Sequence, residues 1–322
     1  MNILITGGAG FIGSNLIDAL IDKNNIICVD DFNDFYDPRI KRNNIKEHLN
    51  HQNYKLYNVD IFNYGALRLV FEHNKIDCII NLAARAGVRP SLKDPRLYFR
   101  SNSDGTIHLL ELAKEFGVKN FIQASSSSVY GSRKDIPFHE DMKIDRPISP
   151  YAATKAANEQ ICYTYSHLYG INTVCLRFFT VYGPRQRPDL AIYKFTKLIN
   201  ENKPIEMYGD GGSKRDYTYI DDIIHGVVAS IYYDRTPFEI INLGGSRPIE
   251  LRYLIQLIEN ELGKKAIIEQ KLNQPGDVPI TCADITKAKS LLNYNPTTPI
   301  EAGIKKFVEW FFVNNIRFVT KC

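Results

Sequence analysis

Short runs of β-branched and aliphatic residues recur through the first 180 positions, and most are followed by a longer stretch of different period. "NILIT" (2–6), "IICVD" (26–30), "KLYNVD" (55–60), "DCIINLA" (77–83), "NFIQAS" (120–125) and "TVCLRFF" (173–179) read as strands. "SNLIDALIDK" (14–23) and "TIHLLELAKEFG" (106–117) return an apolar residue every third or fourth place, as amphipathic helices do. Strands that are apolar almost throughout, joined by helices, predict a parallel sheet covered on both faces. That is a doubly wound α/β fold, with ligands expected at the carboxyl ends of its strands.

Past residue 180 the pattern loosens. Pro and Gly cluster in "VYGPRQRPD" (181–189) and "MYGDGGSKRDY" (207–217), and "FEIINLGG" (238–245) reads as a strand returning to the main sheet. "IELRYLIQLIENEL" (249–262) and "IEAGIKKFVEWFFV" (300–313) carry helical spacing. The expected division is 1–180, with 238–245 rejoining it, and a smaller C-terminal α/β region, 181–322, over the strand ends. The polar stretch 33–53 is long for a connection and is expected to pack near a ligand.

Composition narrows the class without naming a chemistry. The net charge is +4, with 40 basic and 36 acidic residues dispersed along 322 positions, so nothing singles out a nucleic-acid partner. The cysteines at 28, 78, 162, 175, 282 and 322 fall singly, which fits a reduced compartment better than a disulfide scaffold. His48 and His51 sit in polar surroundings that read as a surface loop rather than a metal site, and no metal is expected. The start, "MNILITGGAG", lacks a signal-peptide pattern, and no apolar run is long enough for a membrane span; the expected address is the cytoplasm.

"ITGGAGFIGSNL" (5–16) sets Gly7, Gly10 and Gly13 at the turn between the first strand and its helix. Glycines there let the backbone approach a pyrophosphate while the helix aims its first amides at the charge. A glycine-rich turn that binds nothing is the plain alternative, and its placement after a first strand argues against that. Asp30 ends the second strand, 17 residues after Gly13. A carboxylate there accepts bonds from both ribose hydroxyls and repels a 2′-phosphate, so the cofactor is expected to be NAD rather than NADP, on a Rossmann sheet. Phe11, Ile12, Asp31 and Asn33 belong to the same expected site. So do Asp60 and Ile61 beside the adenine, Leu82, Ala83 and Ala84 after the fourth strand, and Phe178.

"SPYAATKAANE" (149–159) stacks Tyr151 and Lys155 at i and i+4 on one helix face, some twenty residues after "SSSSVYG" (125–131). In a chain that opens with a dinucleotide turn, this set resembles the extended short-chain dehydrogenase/reductases. The resemblance implies that Tyr151 is the general base and acid, Lys155 its electrostatic partner, and Ser126 the Ser/Thr position that orients the substrate oxygen. Tyrosine, with a pKa of about 10, is a weak base at neutrality unless a nearby ammonium favours the phenolate. Both Tyr151 and Lys155 also count among the expected cofactor contacts.

Within that superfamily, "NDFYDPRIKR", "AARAGVRPSL", "RFFTVYGPRQRPDLA", "GDGGSKRDYTYIDD" and "QPGDV" resemble the nucleotide-sugar epimerases, and most of all those that act at C4 of UDP-glucuronate. The resemblance implies C4 oxidation, rotation of the 4-keto sugar, hydride return from retained NAD, and a homodimer. Arg215 is then expected at the pyrophosphate and Asp277 at the uridine ribose, with Gln274 standing where many relatives carry arginine. Dehydratases of the superfamily place an acidic pair after the Ser/Thr, and decarboxylases a glutamate before Val-Tyr-Gly. Here those places hold Ser127 and Ser128. Neutral hydroxyls at 127 and 128, with Thr180, suit a sugar carboxylate that must not depart, Arg89 and Arg187 are its candidate charged partners, and Ser126 and Tyr151 meet the substrate at its reacting oxygen. The rival readings are a 4-epimerase of UDP-glucose or UDP-N-acetylglucosamine, a decarboxylase, a 4,6-dehydratase, and an idle NAD-binding regulator.

Overall fold

Successive residues of each strand bury against opposite sides of one sheet. Ile3, Ile5, Ile26, Cys28, Cys78 and Ile80 join one apolar cluster, while Leu4, Ile27, Val29 and Ile79 join another. Both faces are therefore dry, which is why these runs are continuously apolar. The computed structural model describes residues 1–272 and 278–319.

β1 (Asn2–Thr6), β2 (Asn25–Asp30), β3 (Tyr54–Asn58), β4 (Cys78–Asn81), β5 (Asn120–Ser126) and β6 (Asn172–Phe178) match the expected runs to within two residues. β7 (Thr180–Tyr182), β8 (Ile205–Tyr208) and β9 (Lys214–Tyr219) follow, and β10 (Phe238–Leu243) pairs with β6. Among the described residues the main sheet holds seven parallel strands in the order β10-β6-β5-β4-β1-β2-β3. The chain moves outward from β1 to β3, then crosses back to β4 and outward again. The reversal lies between β1 and β4, where a doubly wound sheet opens a crevice. β11 (Pro248–Glu250) joins β9 and β7 in a smaller sheet, and β12 (Ile268–Lys271) pairs with β8.

The helix Phe11–Leu20 buries Phe11, Leu16, Ile17 and Leu20. It begins three residues before its amphipathic pattern does, directly at the glycine turn. The helix Pro150–Tyr169 starts on a Ser149 side chain that accepts from the Ala152 amide, with Pro150 in its first turn, and ends at left-handed Gly170. Buried Asp216 of β9 joins the smaller sheet to the main one. Its carboxylate accepts from the amides of Gly245 (2.7 Å), Ser246 (3.0 Å) and Ala283 (2.8 Å).

One expectation needs correction. His48 is no surface-loop residue: it is buried in a short 3₁₀ helix, and its Nε2 lies 2.5 Å from the Asp18 carboxylate on the first helix. Among the described residues, no helix is long and apolar enough to cross a membrane.

Candidate active site

At the crevice between β1 and β4 lies a cavity of about 460 Å³. Its wall at one end is the glycine turn. Gly7 has φ +68°, and a Cβ there would stand 2.8 Å from the Ala83 nitrogen, so the turn lies flat against the chain leaving β4. A Cβ on Gly13 would stand 2.3 Å from the Gly7 oxygen. Gly10 caps the first helix with no side-chain acceptor, which leaves its first-turn amides available to an anion. A cradle this close to the backbone fits a dinucleotide pyrophosphate. Thr6 Oγ1 accepts from the Ala83 amide (3.2 Å) and donates to Asn81 (2.6 Å), which fixes the 82–84 segment opposite.

Gly7, Gly10, Phe11, Ile12, Gly13, Asp30, Asp31, Asn33, Asp60, Ile61, Leu82, Ala83, Ala84, Tyr151, Lys155 and Phe178 all line this one cavity. The ribose end is more crowded than the sequence reading assumed. Asp30 Oδ1 already accepts from the Phe32 amide and from Lys41 Nζ (both 3.0 Å), and Oδ2 accepts from the Ala9 amide (3.1 Å). With about two acceptor sites per oxygen, one remains for a ribose hydroxyl, rather than enough for two. Lys41 also stands 3.6 Å from Asp31. Phe35, Tyr36, Lys41 and Arg85 are wall residues that sequence reasoning missed. The motif "NDFYDPRIKR" held three of them, but only the fold brings it back beside β2.

At the other end, β5 delivers the serines. Ser126 Oγ accepts from the Ser128 amide (3.2 Å), turning the chain into a 3₁₀ helix over Ser127–Tyr130. Ser126, Ser127, Ser128, Thr180 and Arg187 share the wall with Tyr151 and Lys155. The Ser128 hydroxyl is buried and has no hydrogen-bond partner among the described residues. Lys155 Nζ donates to the Ala124 carbonyl (2.8 Å) and stands 6.0 Å from the Tyr151 ring centre. Tyr98 meets that ring edge-on at 6.3 Å. Burial pushes the Tyr151 hydroxyl above the ordinary tyrosine range, and a Ser126 hydrogen bond and the Arg187 charge pull it down.

The structure does not bring every expected residue to the cavity. Arg89 lies over the Tyr208 ring, 4.6 Å from its centre, because a guanidinium packs well on an aromatic face. Arg215 is on β9, where its Nη1 donates to the Lys214 carbonyl (3.0 Å). Neither lies in the cavity wall. Arg187 does, but its charge is met by Asp189 at 2.9 Å while its guanidinium stacks on Phe35 at 5.4 Å. Asp277 and Gln274 lie outside the described residues.

Burial draws the Lys155 ammonium down to about 8 from its usual 10.5, against smaller upward pulls from Cys162, Cys175 and Glu159. The unfolded chain therefore keeps this proton to higher pH than the folded one. Below pH 8 the fold carries the full cost of a buried cation, on the order of 3 kcal/mol, and sheds it as pH rises toward 10.5. Lys155→Met, measured by thermal unfolding of cofactor-stripped protein, is expected to melt above the wild type at pH 7. That advantage should shrink steadily by pH 10, and an advantage that is flat with pH would contradict the assignment.

Comparison with known proteins places this geometry. A family model described as GDP-mannose 4,6 dehydratase matches residues 4–307. A UDP-glucuronate 4-epimerase of Thermodesulfobacterium geofontis is 48% identical over 309 residues, 95% of each chain. The crystal structure of UDP-glucuronic acid 4-epimerase from Bacillus cereus, in complex with UDP-glucuronic acid and NAD, superposes with a TM-score of 0.91 at 37% identity. That match covers 98% of this chain and 100% of the other. A UDP-glucose 4-epimerase of Thermotoga maritima, solved with UDP-glucose, follows at 0.89 and 31%, over 98% and 100% of the two chains. By these likenesses the chain belongs to the NAD-dependent nucleotide-sugar epimerase family of the extended short-chain dehydrogenase/reductases.

Proposed function

We propose that this enzyme interconverts UDP-glucuronate and UDP-galacturonate by inverting C4 of the sugar. The observation that carries the reading is the wall beside Tyr151. It is built from Ser126, Ser127, Ser128 and Thr180, with hydroxyls at the two places where a decarboxylase or dehydratase would carry an acid. NAD, when bound, supplies a hydride acceptor that later serves as donor. Gly7, Gly10, Gly13, Asp30 and the 82–84 segment would hold it.

Tyr151 takes the O4 proton as C4 is oxidised and gives it back, to the opposite configuration, as C4 is reduced. Lys155, pinned to the Ala124 carbonyl, keeps a positive charge near the phenolate. Ser126 donates to the same oxygen. A 4-keto glucuronate is a β-keto acid, and donors at 127, 128 and 180 would hold its carboxylate in place without a base near C5. Arg187 is already paired with Asp189, so it would orient the carboxylate more than neutralise it. On this reading residues 1–180, with the β10 strand, bind the cofactor, and 181–322 the nucleotide sugar. The same family likeness implies a cytoplasmic homodimer joined through the helices Gly105–Glu115 and Pro150–Tyr169. Exposed Tyr163, Leu168 and Tyr169 on the second of these support that assembly.

The test is turnover of UDP-glucuronate, UDP-glucose and UDP-N-acetylglucosamine by one preparation, with products resolved by NMR. UDP-galacturonate is expected as the dominant product. No reaction with UDP-glucuronate alongside turnover of either neutral sugar rejects the substrate assignment.

A further inference from the structure

The first serine of the run, Ser125, borders the same cavity, but its hydroxyl is turned to a buried partner. Its Oγ donates to Glu159 Oε1 at 2.5 Å, and both side chains are buried. Glu159 in turn accepts two bonds from Arg177 of β6, Nε to Oε1 at 2.9 Å and Nη2 to Oε2 at 2.8 Å. Arg177 Nη1 donates to the Tyr130 hydroxyl (2.9 Å), which donates to Asn242 of β10 (2.7 Å).

Tyr151, Lys155 and Glu159 stand at i, i+4 and i+8, so they form one column down the helix. That column meets three consecutive residues of β5: Tyr151 faces Ser126, Lys155 bonds the Ala124 carbonyl, and Glu159 bonds Ser125. Strand pairing does not require the last of these contacts, because β5 is already laddered to β6 over its length, while its ladder to β4 stops at Gln123. Nor does stability, since a buried ion pair rarely outperforms apolar side chains of the same volume. What the ladder leaves open is the angle at which the chain exits β5 into the Ser126–Ser128 turn.

We propose that Glu159 and Ser125 are positioning residues: Glu159, neutralised by Arg177, anchors Ser125 so that the three following hydroxyls present themselves to the sugar beside Tyr151. The inference rests on the C4-epimerase reading and names what sets its geometry.

The test compares wild type, Ser125→Ala and the double variant Glu159→Met/Arg177→Met, each carrying NAD. The double variant removes both buried charges together, so neither is stranded. Three quantities are read: kcat and KM with UDP-glucuronate, the share of decarboxylated product, and amide hydrogen exchange at residues 124–128. In the decarboxylation the C5–C6 bond of the 4-keto sugar breaks, CO2 leaves, and water protonates C5. The result is a UDP-4-keto-pentose with the cofactor left reduced. Displaced hydroxyls are expected to lower kcat about tenfold with KM within about twofold, since small misplacements act on the transition state. The decarboxylated share should rise several-fold, and exchange at 124–128 should quicken.

Wild-type kcat and product ratio in both variants overturn the proposal. So does a lower kcat with unchanged product ratio and exchange, which would mark the network as general scaffolding. A wild type that turns over only neutral UDP-sugars rejects the substrate assignment instead. The positioning role is then judged on kcat, KM and exchange with that sugar.

Discussion

Tyr151→Phe is expected to lower kcat by about 10³-fold while the protein still purifies with NAD, because general acid–base transfer contributes on that scale. The substitution removes one oxygen and little else. The ring keeps its edge-on contact with Tyr98, and Lys155 keeps its bond to the Ala124 carbonyl. Among the other described wall residues near the serines, Ser126–Ser128 and Thr180 are ordinary hydroxyls, Arg187 is a cation, and Lys155 is held by its bond to the Ala124 carbonyl. NMR quantification of UDP-galacturonate and cofactor content measured on the denatured protein give the two readings. Activity within tenfold of wild type would show that Tyr151 is not the base.

Gly13→Ala is expected to yield protein without cofactor and without measurable turnover, with a lowered melting temperature. The added Cβ would lie 2.3 Å from the Gly7 oxygen and 2.7 Å from the Gly8 Cα, both main-chain atoms that no rotamer change can move aside. Relief requires the turn itself to open, at a cost of about 2–3 kcal/mol for overpacking of this kind, and an opened turn no longer fits a pyrophosphate. Gly10→Ala is the graded control. Its Cβ would meet only the Gly7 oxygen, at 3.1 Å, so partial retention of NAD is expected. Equal cofactor content in the two variants, measured by absorbance after denaturation, would show that crowding at Gly13 does not govern the site.

The strands were readable because burial on both faces leaves each one apolar at nearly every position, a signal that needs no partner to interpret. The glycine turn and the Tyr151–Lys155 pair were readable for a related reason: each is a local geometry written in adjacent residues. Lys41 was not. It reaches Asp30 across a polar segment whose path only tertiary packing determines. Arg89 and Arg215 show the converse, since a charged residue inside a familiar motif looks like a ligand whatever its own packing. One lies on an aromatic ring, and the other sits on β9 beyond the cavity wall. Glu159 was within reach, being one further turn below Lys155. Its meaning depends on which β5 residue faces that turn, and the register of a helix on a sheet leaves no trace in spacing alone.

The late return of β10 to the edge beside β6 has a practical bearing on how the molecule can be divided. A fragment ending near residue 180 would bare the full length of β6 as an unsatisfied edge, an invitation to strand-to-strand association. It would also strip Asn242 from Tyr130, loosening the chain of bonds that ends at the serines. The two regions are thus woven together, and 181–322 contributes a stave to the sheet that 1–180 begins.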